Sequence, residues 1–157
     1  MQLGRLYSAQ FNGVAVTAQQ DFFEVNVAST KVVVIHSIHL SQSTEVGDAQ
    51  EEGLSVLIKS GPTVSGSGGS TPTAAPRQLG DSAYAGTVEA NNTTKANTGT
   101  IVTHDARNWN VRIPLDLYYP PDQRIILAPS ARLTVELGTT PADSITASGI
   151  IIFEEIG

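Results

Sequence analysis

Lys31-Val32-Val33-Val34-Ile35-His36-Ser37-Ile38-His39-Leu40-Ser41-Gln42 carries the strongest strand signal in the chain. Read with a period of two, Val33, Ile35, Ser37 and His39 fall on one face, and Val32, Val34, His36, Ile38 and Leu40 on the other. Both faces begin apolar, which is the pattern of a strand covered above and below. The stretch turns polar as it runs into Ser43-Thr44, where it leaves the core.

The same period recurs on either side. Phe23, Val25 and Val27 alternate with Asp21, Glu24 and Asn26, with Phe22 on the polar side. Short β patterns follow at 54–59, 83–90, 100–103, 108–117, 124–127, 132–137 and 145–156. Pro120-Pro121-Asp122 and Ala128-Pro129-Ser130 punctuate the closely spaced ones. Short strands at regular intervals, with no helical period, predict an all-β fold: an antiparallel β sandwich, jelly-roll-like, of eight or nine strands. Val33, Ile35, Leu54, Val56, Ile125, Leu127, Leu133, Val135 and Leu137 are its expected core. No internal repeat points to a propeller or a solenoid.

Composition agrees. Of 157 residues, 30 are Ser or Thr, 14 are Gly and 8 are Pro, while only 15% are charged against roughly 25% in an average domain. The length fits one domain, 1–157, with an N-terminal arm at 1–16 and a long Gly/Ser/Thr/Pro-rich loop at 61–81. On composition that loop is a flexible linker, ordered only if a neighbouring chain holds it. The net charge of −6, with no basic cluster, argues against nucleic acid and against anionic membrane surfaces as partners. No apolar run nears the roughly 20 residues that span a bilayer, and the first residues show no signal-like stretch. Without cysteine there are no disulfides, thiolate metal sites or cysteine nucleophiles.

Catalytic chemistry finds little purchase. His36 and His39, three apart on a strand, are expected on opposite faces about 10 Å apart, and with His104 they do not make a metal-ligand pattern. Glu51-Glu52 and Glu154-Glu155 are adjacent pairs whose side chains point apart, and Asp48 stands alone, so none forms a two-carboxylate catalytic pair by itself. The serines at 65, 67 and 70 sit among glycines without the Gly-x-Ser-x-Gly elbow or the Lys of a phosphate loop. Asn91-Asn92-Thr93-Thr94 matches a glycosylation acceptor but reads as a polar turn. Trp109 is either a sugar-stacking platform or a core or interface anchor, and Tyr118-Tyr119 has the same two readings. No catalytic, cofactor or metal residue is assigned.

Tyr7-Ser8-Ala9-Gln10-Phe11-Asn12-Gly13-Val14-Ala15-Val16-Thr17, Gln42-Ser43-Thr44-Glu45-Val46-Gly47-Asp48-Ala49, Ser65-Gly66-Ser67-Gly68-Gly69 and Phe153-Glu154-Glu155-Ile156-Gly157 resemble small structural proteins of tailed bacteriophages. Among these the chain is similar to head decoration, or cement, proteins. The resemblance implies a non-enzymatic virion protein on the capsid exterior, made in the host cytoplasm, that forms a homotrimer and braces the major capsid protein lattice. A tail, fibre or carbohydrate-binding module is the alternative it leaves open. Leu3, Arg5, Leu6, Tyr7, Phe11, Trp109, Tyr118, Tyr119, Phe153 and Ile156 are the expected interface residues, and the strand from Ile150 to Ile156 with the Tyr118-Tyr119 corner is the expected surface of self-association.

Overall fold

A computed structural model describes residues 3–45 and 51–157. Asp48, half of the motif at 46–49 and the first two residues of the expected arm lie outside them. The described residues hold eleven strands and no α-helix: β1 (Arg5–Val16), β2 (Gln20–Asn26), β3 (Val32–Gln42), β4 (Gly53–Pro62), β5 (Ala75–Pro76), β6 (Thr87–Asn92), β7 (Gly99–Asn110), β8 (Leu115–Tyr118), β9 (Ile126–Leu127), β10 (Arg132–Leu137) and β11 (Ile145–Ile156). The count exceeds eight or nine because β5 and β9 are two-residue pairings that alternation does not reveal.

The strands form two antiparallel sheets. The front sheet runs β5-β1-β11-β3-β8, with β9 also on β3, and the back sheet runs β6-β2-β10-β4-β7. The predicted core residues are all buried between them. An aromatic chain crosses the interior: Phe11 stacks on Phe22 and tilts against Phe23, and Phe22 meets Trp109 edge-on.

Two bulges set which side chains face inward. Ile152 of β11 pairs with Ser37 and Phe153 with Ile35, so β3 carries one extra residue, His36. The inward set therefore switches from Val33 and Ile35 to Ile38 and Leu40. His36 and His39, expected on opposite faces, both come to the outer side. In β2, Val135 pairs with Phe23 and Glu136 with Asp21, leaving Phe22 as the extra residue that turns inward beside Phe23.

The expected arm is a strand from Arg5 onward, paired along its length with β11. The loop at 61–81 is also no linker. It leaves β4, and Arg132 of β10 donates to the Thr63 carbonyl. Ser65 and the Gly66 amide then donate to Glu24 of β2, after which Ser67 and Ser70 bridge to Thr94 and Ala90. The chain next crosses one side of the sandwich, pairs Ala75–Pro76 with β1, and returns to β6 past Tyr84, which packs on Tyr7 and Phe153. Hydrogen bonds to this chain's own body hold the segment. The glycines are there for close approach: a Cβ on Gly69 would stand 2.1 Å from the Ala90 carbonyl oxygen.

Gly69→Ala should cost about 1–3 kcal/mol of stability by this clash with backbone. Gly53→Ala, whose Cβ meets nothing within 4 Å, should change little. Paired thermal melts check both, and equal melting temperatures for the two variants would contradict this account of the strap.

Candidate functional site

The outer faces of the two sheets differ. The back sheet's face is acidic and covered by the strap and the turn after β6. Glu24, fully buried, accepts from Ser65 Oγ at 2.7 Å, the Gly66 amide at 2.9 Å and Asn92 Nδ2 at 3.3 Å, with Arg132 Nε 3.5 Å away. Glu136 takes Lys59 Nζ at 2.6 Å and Lys95 Nζ at 3.2 Å. Asp21 accepts the Ala96 amide at 2.7 Å. Each carboxylate serves as an acceptor that pins a crossing segment.

Asp21 is the exception in charge. Burial pushes its carboxyl up to about 7 from 3.8, with Glu136 and Glu24 adding to the shift; the Ala96 N–H and Lys95 oppose it. The folded state then holds a proton that the unfolded chain releases between about pH 4 and 7. Stability falls as pH rises through that window.

On the front sheet's outer face the Leu3 and Gly4 amides close over Glu154. Register places Asp116, His39, Ile150 and Gln10 in one row, Tyr118, Ser37, Ile152 and Ser8 in the next, and Ile126, Val34, Glu154 and Leu6 in a third. Tyr118 is 73% exposed, Ile126 68% and Ile150 37%. Both histidines of the face are paired. His36 Nε2 lies 2.9 Å from Glu154 Oε2, and His39 bridges Asp116 at 2.7 Å and Ser37 at 3.0 Å. Burial alone would raise the Glu154 carboxyl, but the Gly4 amide, His36 and the Leu3 amide hold it below its usual value.

Beside this face, at the side of the sandwich away from Tyr84, a groove of about 530 Å³ opens between β7 and β8. Asp105, Arg107, Tyr119 and Arg124 are among its lining residues. Tyr119 Oη donates to Asp105 at 2.8 Å, Arg107 is 3.9 Å from the same carboxylate, and Arg124 Nε donates to the Tyr119 carbonyl at 3.4 Å. The Tyr119 hydroxyl is pushed up by burial, then by its bond to Asp105.

The expected interface residues divide between these places. Tyr7, Phe11, Trp109 and Phe153 are core side chains of this one chain, which leaves them no surface to offer a neighbour. Trp109 donates its indole N–H to the Ile113 carbonyl, so its reading as an anchor fits and a stacking platform does not. Leu3, Arg5 and Tyr118 are exposed, and Leu6, Tyr119 and Ile156 half-buried. His104, the third histidine, is far from a metal arrangement: it bonds Ser60 Oγ at 2.7 Å. Among the described residues no three His, Asp or Glu side chains converge as metal ligands. Ile150 begins the strand expected as a self-association surface, whereas Ile126 is missed by a sequence reading because a single exposed isoleucine in a strand looks like any core position.

No family model matches the chain, and no curated protein does. Among solved structures, basic winged bean lectin with Tn-antigen aligns over 96% of this chain and 100% of its own at 10% identity, with a TM-score of 0.23. The Gx strain of infectious bursal disease virus aligns over 97% of this chain and 41% of its own at 14% identity, with a TM-score of 0.20. Neither likeness is large enough to bear on the fold or the role.

Asp21→Asn keeps an oxygen acceptor for Ala96 and removes the ionisation. The variant should be more stable than the parent by about 1–3 kcal/mol at pH 8, with little difference at pH 4. Denaturant unfolding across that range checks the sign, and a parent whose stability rises between pH 5 and 7 would overturn it.

Proposed function

We propose that the protein is a non-enzymatic structural subunit of a virus particle, a decoration protein whose front sheet lies against the assembled capsid lattice. The observation that carries this reading is the exposure of Tyr118, Ile126 and Ile150 on the outer face of the front sheet, while Asp21, Glu24 and Glu136 on the opposite sheet are buried. Apolar side chains left outside while carboxylates are taken inside mark a contact surface. The face is built from rows of side chains on five strands, an extent that suits a protein partner. A subunit that binds the assembled lattice and not its free building blocks stabilises the particle by mass action, with no chemistry required. Such a protein sits on the capsid exterior, with the major capsid protein and further copies of itself as partners.

One observation favours a second reading. The Tyr118 ring stands exposed at the mouth of the β7–β8 groove, edge-on to His39, beside Asp116, Gln123 and Arg124. An aromatic face rimmed by polar side chains is also how a saccharide is held.

Added to undecorated heads of the virus that encodes it, the protein should cosediment with them, and Ile126→Glu combined with Ile150→Glu should lower occupancy by about tenfold or more while leaving the fold intact. Tyr118→Ala would weaken both modes, so glycan-array binding of the parent separates them. Saturable sugar binding, with no attachment to heads, would replace the first reading by the second.

A further inference from the structure

The sandwich closes one side with its own chain and leaves the other open. On the closed side, Ala75–Pro76 caps the β1 edge and Ser67 and Ser70 cap β6. On the open side stands β7, twelve residues long, paired with β4 and with no other strand.

The free backbone groups of β7 can be assigned. The Val111 amide donates to the Glu52 carbonyl, while the Ser55 carbonyl, opposite Asn108, instead accepts from Gly138 of the β10 side. In an antiparallel ladder hydrogen-bonded and non-bonded pairs alternate. Asn108 and Ala106 therefore turn their N–H and C=O groups away from β4; Asn110 turns the same way, but its carbonyl is taken by the Ile113 N–H. A row of unpaired groups at the sheet edge is a template for one more strand.

The side chains of this stretch suit a second copy of the same strand. Ala106, exposed and small, is flanked by Asp105 and Arg107. In a two-fold antiparallel pair centred on Ala106, residues whose numbers sum to twice 106 face each other. Asp105 then meets the partner's Arg107 and Arg107 the partner's Asp105: two reciprocal opposite-charge pairs from one sequence. Within one chain the two groups are already near each other, but only at 3.9 Å. The central Ala106 pair exchanges two backbone hydrogen bonds, as an outward-facing position requires. The β7 bulge at His104, where Ile58 pairs with Asp105 and Lys59 with Thr103, turns the strand away beyond that point. The contact is thereby kept short and reversible.

We infer that β7 is a self-association edge, pairing with β7 of a second copy about a two-fold axis through Ala106 and closing the groove between the sheets. This does not rest on the capsid reading. A trimer closed elsewhere on the surface would be joined in pairs by the same contact.

The absence of native cysteine makes the test clean. Hydrogen-bonded antiparallel partners have Cα atoms about 5.5 Å apart, within disulfide range, so Ala106→Cys should give a covalent dimer under mild oxidation. Asn108→Cys, whose two copies would stand more than about 12 Å apart, should not. By sedimentation at high micromolar concentration the parent should show a concentration-dependent dimer. Arg107→Asp should weaken it by about tenfold or more through like-charge contacts, and Asp105→Arg with Arg107→Asp should restore it. Because Asp105 also holds Tyr119, the variants are compared at matched thermal stability, and the restored dimer of the double variant is the decisive readout. A parent that stays monomeric, equal crosslinking at 106 and 108, or a double variant no better than the single would overturn the inference. Preferential binding of an unrelated extended peptide to the edge, with no dimer, would do so as well.

Discussion

A single extra residue in β3 organises the front of the molecule. Without the bulge at His36, the alternation that buries Val33 and Ile35 would bury Ser37 and His39 next and expel Ile38 and Leu40. With it, the strand stays apolar on the core side throughout, and both histidines reach the outer face, where Glu154 and Asp116 take them. The edge partner of β3 is split at the same place. β9 pairs before the bulge and β8 after it, and the connection between them supplies Tyr119, Arg124 and Ile125 to the wall of the open groove. One backbone irregularity thus fixes the core phase, the histidine environments and the shape of the open side.

The back sheet answers a different problem. Its outer face presents Asp21, Glu24 and Glu136, which would ordinarily be solvated; instead it places Glu24 under the 61–81 segment and Asp21 and Glu136 under the turn after β6. A buried carboxylate is costly unless its lone pairs are filled. Glu24 meets that cost with donors from Ser65, Gly66 and Asn92, and Glu136 with two lysines. Asp21 has one amide and the repulsion of its neighbours, and accordingly holds its proton to about pH 7. The cluster converts a segment with almost no apolar side chains into fixed structure, and the enthalpy of charge-assisted hydrogen bonds takes the place of hydrophobic burial.

This explains which parts of the molecule were legible in the sequence. Alternation identified the core because burial between two sheets has a period of two wherever pairing is regular; Leu133, Val135 and Leu137 are inward as read. It failed at His36 and Phe22, since a bulge is set by the partner strand and leaves no local mark. Glycine and serine in the 61–81 segment gave the composition of a linker, but the same residues are what close backbone approach needs, and only the position of Glu24 beneath decides between the two. Trp109 was readable as an anchor or a platform, and the aromatic chain from Phe11 through Phe22 selects the anchor. Two members of the front face, Tyr118 and Ile150, lie in stretches that the sequence already offers as contact surfaces, but that they share a face with Ile126 is set by the pairing of β8, β9 and β11 around β3 and leaves no local mark.

The exposed patch and the open edge complement each other energetically. Covering Tyr118, Ile126 and the remaining exposed part of Ile150 would contribute on the order of 5 kcal/mol by area. Association costs an estimated 4–15 kcal/mol in lost freedom, so a single copy on such a face binds weakly. The proposed capsid lattice would offer the face many equivalent sites. Joining two copies through β7 makes the second attachment intramolecular, with an effective concentration set by the spacing of the paired faces, and avidity can exceed single-site affinity by about 10²–10⁴ without a new contact. A weak face and a weak edge then suffice together, provided the lattice spacing matches the pair. On the two proposals together, the subunit would bind the assembled surface and ignore its isolated parts, because only the assembly presents two sites at once.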